Sequence, residues 1–218
     1  MDSSSTPFRP KLRYLLAGMV LAILVLSMWG WYGLHLHDKF FPRRWGESYP
    51  GVFRSGQIDP RIIESTLASH NIKTIVCLKE AADDSRANVA EVNAASKLHI
   101  IRTCIPMYGN GYGSLDNYAL AIETIEKSRL HGDPVLVHCG AGTHRTGGVL
   151  ASYKVLVLGV DPQVCLNEMM QYNFNSDQNR VLVPFLNQQM KALAQELVKR
   201  GVISAVPAPL PQLPASAP

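Results

Sequence analysis

Residues 135–147 read VLVHCGAGTHRTG. An apolar run with strand character ends abruptly at His138-Cys139, passes through Gly140 and Gly142, and reaches Arg145-Thr146-Gly147. The pattern predicts a buried strand over 134–138, a loop over Gly140 to His144, and a helix that starts at Arg145. Such a loop gathers backbone N–H groups into one concavity, and the helix adds the positive end of its dipole. Gly140 and Gly142 allow the torsions and close approach that this cradle needs. Ala141, Thr143 and His144 complete it, and the Arg145 guanidinium offers a planar fork matched to two phosphate oxygens. The same field lowers the pKa of a thiol at Cys139. His138 is placed to hydrogen-bond backbone carbonyls and stiffen the loop, and Thr146 to donate its hydroxyl to the sulfur and improve it as a leaving group. A thiolate nucleophile in a phosphate cradle suits two-step phosphoryl transfer.

Outward from this motif, strand-like and helix-like segments alternate. KTIVCL (73–78) and HIIRTCI (99–105) read as strands, and Val52-Phe53 begins a shorter one. Helical spacing covers about 59–69, 84–97, 115–130, 145–158, 162–172 and 182–200, the last ended by Gly201. The expectation is an α/β domain over residues 51–201, with a central, mostly parallel sheet flanked by helices. Ligands of such sheets bind beyond the C-terminal ends of the strands, where Cys139 stands.

The ends of the 218-residue chain differ from this. After a short basic N-terminus (1–13), residues 14–34 carry no charge and are long enough for a membrane-spanning helix. Trp29, Trp31 and Tyr32 crowd one end of it, as headgroup-level aromatics do. The basic residues ahead of the span favour a cytoplasmic N-terminus and an extracytoplasmic domain, a single-pass arrangement with the membrane as partner. A linker (35–50) follows, with Arg43, Arg44 and Trp45 expected at the membrane surface. A Pro/Ala-rich tail (202–218) is expected to be unstructured. The formal net charge of +4, without runs of like charge, suits an anionic small substrate and argues against nucleic acid. Cys77, Cys104 and Cys165 read as small buried hydrophobes, and the four cysteines form no disulfide framework.

HCGAGTHRTG resembles the H-C-x-x-G-x-x-R-[ST]-G signature of the protein tyrosine phosphatase superfamily, in particular its small dual-specificity-type, atypical and bacterial members. VFRSGQIDP, IKTIVCLKE and NSDQNR are similar to further segments of that group, so the likeness spans about residues 50–190. It implies a phosphatase without metal or other cofactor. Cys139 would carry a phosphocysteine intermediate, and Arg145 and the loop amides would bind the transition state. The substrate would be a phosphorylated protein or a small phosphomonoester. Inositol-phosphate-directed members carry lysines in the loop where this chain has Gly140 and Thr143. His144 is its only extra basic side chain there, which argues against a highly anionic inositol substrate.

The family's general acid is an Asp on the loop before the helix at 115. Here that loop reads PMYGNGYGSLD, and Asp116 is its only carboxylate. Asp116 is therefore the candidate acid, with a residue that merely favours the helix dipole after a Ser114 cap as the alternative. Asp177 and Gln178 are a second possibility, for positioning water or for a helix cap, and Asp83 and Asp84 are expected to be solvated. Tyr108 and Tyr112 are candidates for lining an aryl-phosphate pocket, or for lying on the loop surface. Two other readings stay open: a phosphate- or phosphopeptide-binding module without turnover, and a rhodanese-type sulfurtransferase.

Overall fold

The computed structural model describes residues 9–35, 37–79 and 84–214. Two compact units divide it, Met1–Phe40 and Phe41–Pro218. The first holds α1 (Arg9–His35) and the short α2 (His37–Phe40).

The membrane anchor expected over 14–34 is corrected. Among the described residues no helix is long and apolar enough to cross a membrane. Within α1 the side chains described are those of 14–30. Exposed Leu21, Leu26 and Trp29 lie among them, while the side chains of Trp31 and Tyr32 lie outside the described residues. The single-pass localisation and the inside–outside orientation rested on that span and fall with it.

In the second unit, β1 (Gly46–Tyr49), β2 (Val52–Ser55), β3 (Thr74–Cys77), β4 (Ile101–Cys104) and β5 (Val135–His138) form one sheet in the order β1-β2-β5-β3-β4. β5 lies between β2 and β3, parallel to both, and β3 pairs parallel with β4. Only the edge strand β1 runs antiparallel. The sheet is therefore mixed at one edge, from a strand that the linker reading of 35–50 did not foresee.

Helices cover both faces because the buried strands are apolar on both. Val135 and Val137 face a core with Ala121, Ile122 and Ile125 of α5 (Leu115–Leu130). The same core takes in α6 (His144–Leu156), α7 (Pro162–Gln171) and α8 (Leu182–Lys199). Leu136, between the two valines, turns to the opposite core with Ile63 and Leu67 of α3 (Ile63–Ser69) and Ala94 and Ala95 of α4 (Arg86–Lys97). Period-two alternation within one four-residue strand thus joins both layers. Polar caps start three of the helices: Ser85 Oγ accepts from Asn88 N, Ser114 Oγ from Asn117 N, and Asp161 from Gln163 N and Val164 N ahead of α7, with Pro162 at the first helical position.

Two segments outside the expected domain pack against it. Trp45 stacks on Phe53 with ring centroids 5.5 Å apart, rather than standing free as a surface aromatic. At the other end, Leu213 is buried, and its N–H and carbonyl bond the Asn187 side chain at 2.8 Å each. Val202, Ile203, Val206 and Leu210 also lie against the core. The expected unstructured tail is packed to that point because its Pro-rich run carries regularly placed apolar residues, and 215–218 lie outside the described residues.

Candidate active site

Strand β5 ends at His138, and Cys139 follows it below the surface with 2% of its area exposed. Gly142 takes φ +78°, a left-handed conformation that suits glycine, and its N–H points back to Cys139 Sγ at 3.1 Å. A Cβ at Gly142 would meet Gly56 N at 2.5 Å, so nothing larger fits between the loop and the turn after β2. Burial pushes the Cys139 thiol up, but the hydroxyl and backbone N–H of Thr146, the charge of Arg145 and the Gly142 N–H outweigh it and hold the thiol below its ordinary range. Thr146 is fully buried.

Arg145 lies over the sheet end. Its Nη1 donates to Leu78 O at 3.1 Å and Met107 O at 3.4 Å, and a Cβ at Gly140 would lie 3.4 Å from Nη2. Its Nε is buried and has no partner among the described residues. Thr143, at the N-cap of α6, makes no side-chain cap bond, so the cap does not compete for the first-turn N–H groups.

His138 does not act mainly through backbone carbonyls. Its Nδ1 lies 3.4 Å from Cys139 O, while its Nε2 lies 3.0 Å from Glu91 Oε2 in a fully buried ion pair. Burial opposes the charge on His138, yet Glu91 and Cys77 raise its pKa well above the usual histidine range. Burial likewise opposes ionisation of Glu91, and His138 and Arg102 pull it below the usual carboxylate range. Cys77, Glu91 and His138 are metal-ligand types with ligand atoms within 4.8 Å of one another. Both Glu91 oxygens are already engaged, however, by Arg102 Nε at 2.7 Å, Gln57 Nε2 at 3.2 Å and His138. The group is a charge network beneath the loop. His144 opens α6 after the loop. Burial, and then the charges of Arg145 and Arg44, hold its imidazole below the ordinary value against a bond with the Gly109 backbone.

A cleft of about 790 Å³ opens beside Arg145, lined by Lys79, Asp84, Met107, Tyr108, Ser114 and Asn117 among others. Asp116 is not among its walls. Ser114 and Asn117 face the cleft, whereas the Asp116 carboxylate is 79% exposed and lies 3.4 Å from Arg200 Nη2. Asp84, expected to be merely solvated, is the one carboxylate in the cleft wall among the described residues; Asp83 lies outside them. The two tyrosines part company. Tyr108 lines the cleft and is 76% exposed, and Tyr112 stacks on Phe185 at 4.4 Å. Asp177 and Gln178 are exposed and give their backbone N–H groups to Asn175 Oδ1, a turn cap. Asn179 beside them reaches the cleft loop, donating to Asn110 O at 2.8 Å.

A family model described as Swiss Army Knife protein, DSP-PTPase phosphatase domain, matches residues 59–196. The chain belongs to this phosphatase family. It is a phosphoric monoester hydrolase of the dual-specificity, protein-tyrosine type. Among curated relatives, the dual specificity protein phosphatase TpbA of Pseudomonas aeruginosa (strain UCBPP-PA14) is 24% identical over 177 residues, 76% of this chain and 74% of that protein. A crystal structure of a TpbA variant in complex with pTyr superposes with a TM-score of 0.55 at 20% identity, over 69% of this chain and 87% of that one. The core catalytic domain of the PP-IP phosphatase SIW14 from S. cerevisiae, in complex with citrate, gives 0.58 at 16% identity, over 79% and 97%. These two superpositions establish a shared fold.

Sequence reading passed over Arg54, Gln57, Glu91 and Glu168, which the fold brings to the phosphatase loop or to its supports, and it expected Arg44 at a membrane surface, whereas Arg44 bonds Ala141 O. One signal was available for Arg54, a lone arginine in an otherwise apolar and small strand, VFRS, next to a turn glycine. Partners contributed from distant segments leave no such mark.

Proposed function

We propose that this phosphatase hydrolyses phosphomonoesters through a phosphocysteine on Cys139, with aryl phosphates, phosphotyrosine in proteins above all, as its preferred substrates. The observation that carries the reading is one buried sulfur that meets the Gly142 N–H at 3.1 Å, its thiol held below the ordinary range by Thr146, Arg145 and that N–H. The Cys139 thiolate attacks phosphorus. The S–P bond forms as the P–O bond to the leaving group breaks. Arg145 and the N–H groups of Gly140 to His144 hold the non-bridging oxygens. Asp84, rather than Asp116, gives a proton to the leaving oxygen, because it stands in the cleft wall while Asp116 turns to Arg200. Water then attacks phosphorus and passes its proton to Asp84. The S–P bond breaks, and phosphate leaves the restored thiolate.

Tyr108 supports the aryl preference, since an exposed ring at the cleft mouth can stack on a phosphotyrosyl ring. TpbA's complex with pTyr is in keeping with this. The inositol pyrophosphate chemistry in SIW14's name has less support here, because residues 140–144 carry no lysine and His144 is held towards neutrality. The test is hydrolysis of para-nitrophenyl phosphate and of a phosphotyrosyl peptide by the parent and by Cys139→Ser. Turnover in the parent that disappears in Cys139→Ser is the expected result. Vanadate binding without turnover in the parent would favour a binding module, and thiosulfate:cyanide transfer would favour the sulfurtransferase.

A further inference from the structure

Three successive carbonyls of the loop are each tied to a donor outside it. Gly140 O accepts from Gln57 N at 2.9 Å, Ala141 O from Arg44 Nη1 at 2.7 Å, and Gly142 O from Arg54 Nη2 at 2.8 Å. In a trans peptide the carbonyl and the next N–H point in opposite directions. Holding these oxygens outward therefore turns the N–H groups of Ala141, Gly142 and Thr143 inward. The middle one is the group that meets Cys139 Sγ at 3.1 Å. The Ala141 carbonyl held by Arg44 and the Gly142 N–H aimed at the sulfur belong to one rigid peptide unit.

We propose that Arg44 and Arg54 are positioning residues of the phosphatase. Together with the Gln57 backbone N–H they form an outer clamp that fixes the loop's carbonyls outward and so aims its amides at the sulfur and the phosphate oxygens. The inference rests on the loop being the phosphate site.

The clamp is built for this. Arg54 is fully buried although charged. Its Nη1 donates to Glu168 Oε1 at 2.8 Å, and its guanidinium carbon lies 3.8 Å from the Tyr172 ring centroid. Glu168 also receives Ser48 Oγ and Lys154 Nζ, which sets the arginine's direction from α6, α7 and β1 at once. A buried guanidinium is costly unless such partners satisfy it. Burial works against the charge on Arg54, and Glu168, Tyr172 and the Cys139 sulfur favour it, so Arg54 and the thiolate stabilise one another. Arg44 comes from the segment before β1, which is tied down by the bond from Gly56 N to Arg43 O at 2.7 Å. Gly56 makes the approach possible, since a Cβ there would lie 2.9 Å from Ala141 O. Both arginines meet the loop through its carbonyls, Ala141 O and Gly142 O, and so act through it.

The test uses the full-length chain and its Arg44→Gln, Arg54→Lys and Arg54→Met variants. Four readouts are taken: melting temperature, kcat and KM, orthovanadate affinity, and the rate at which iodoacetamide alkylates Cys139 across pH. Arg44 is only half-buried, so Arg44→Gln should melt close to the parent. Its vanadate affinity should still fall roughly tenfold or more, the loss of one charge-assisted bond, and its alkylation midpoint should move to higher pH. Arg54→Lys should fall between the parent and Arg54→Met, because an ammonium keeps the charge without the fork. A folded Arg44→Gln with the parent's alkylation profile and vanadate affinity would overturn the clamp, as would losses confined to melting temperature across all three variants. Failure of vanadate to protect Cys139 in the parent is a distinct result, and it would overturn the phosphate-site reading and the clamp together.

Discussion

The phosphatase loop and the loop that lines the cleft beside Arg145 are built differently. In the first, residues 139–145, the Gly142 N–H meets the sulfur inside, and three carbonyls are held from outside by Arg44 ahead of β1 and by Arg54 and Gln57 at the end of β2. In the second, residues 106–114, Tyr108 N bonds Tyr112 O at 2.7 Å and Gly111 N bonds Tyr108 O at 2.9 Å. From outside that loop, Asn117 holds Pro106 O, Tyr118 holds Gly111 O and Asn179 holds Asn110 O. The first loop presents backbone dipoles and an arginine, and the second an exposed tyrosine. The difference separates chemistry from selectivity. Groups that stabilise charge in a transition state must not move, whereas groups that greet a substrate need only be present.

Substitutions should sort along that line. Cys139→Ser should have the largest effect and abolish turnover, because an alkoxide would not form in this field as a thiolate does; a steady-state assay at saturating para-nitrophenyl phosphate reads it. Arg145→Lys should come next, lowering kcat/KM by roughly 10²–10³, since one donor head cannot replace a planar fork. Asp84→Asn should cost about 10²-fold on alkyl phosphates but little on para-nitrophenyl phosphate, whose leaving group needs no proton. Equal, small effects on both would remove Asp84 from the mechanism, and a leaving-group-dependent loss in Asp116→Asn would return the role to that residue. On the cleft-lining loop, Tyr108→Ala should raise KM for a phosphotyrosyl peptide by only several-fold, roughly the worth of one aromatic contact, with kcat unchanged.

A stability profile sharpens the same contrast beneath the loop. Folding raises the His138 pKa, so its contribution is complete below the unfolded value and lost as pH rises through the folded one. Folding lowers the Glu91 pKa, so its contribution is present above the ordinary carboxylate value and lost as pH falls through the folded one. The pair therefore stabilises the phosphatase between those limits. Glu91→Gln should lower the melting temperature at neutral pH and flatten its decline in acid. A variant with the parent's acid profile would contradict this.

How much of this the sequence disclosed follows from how local each feature is. The layered α/β fold was legible because β3, β4 and β5 are apolar runs and the helices between them keep helical spacing. The loop was legible because Cys139, Gly142, Arg145 and Thr146 stand within eight residues of one another. The edge strand β1 was not, since GESY has no apolar alternation and is recruited by pairing with β2. The Arg44 and Arg54 contacts were hidden for the same reason, because each joins segments about ninety residues apart along the chain. Asp116 was singled out by its position in the chain, and the first turn of α5 points it away from the cleft. The apolar run at 14–34 shows the opposite failure, where composition suggested a membrane span that no described helix supports.

The central claim is that a sulfur held as thiolate by converging donors takes the phosphoryl group itself. Acid-quenched turnover of a labelled aryl phosphate, followed by peptide mapping, tests it most directly. The label should appear on the peptide that carries Cys139 and be missing from Cys139→Ser. Continued hydrolysis in the parent with no label on that cysteine, or with label on another residue, would contradict the account.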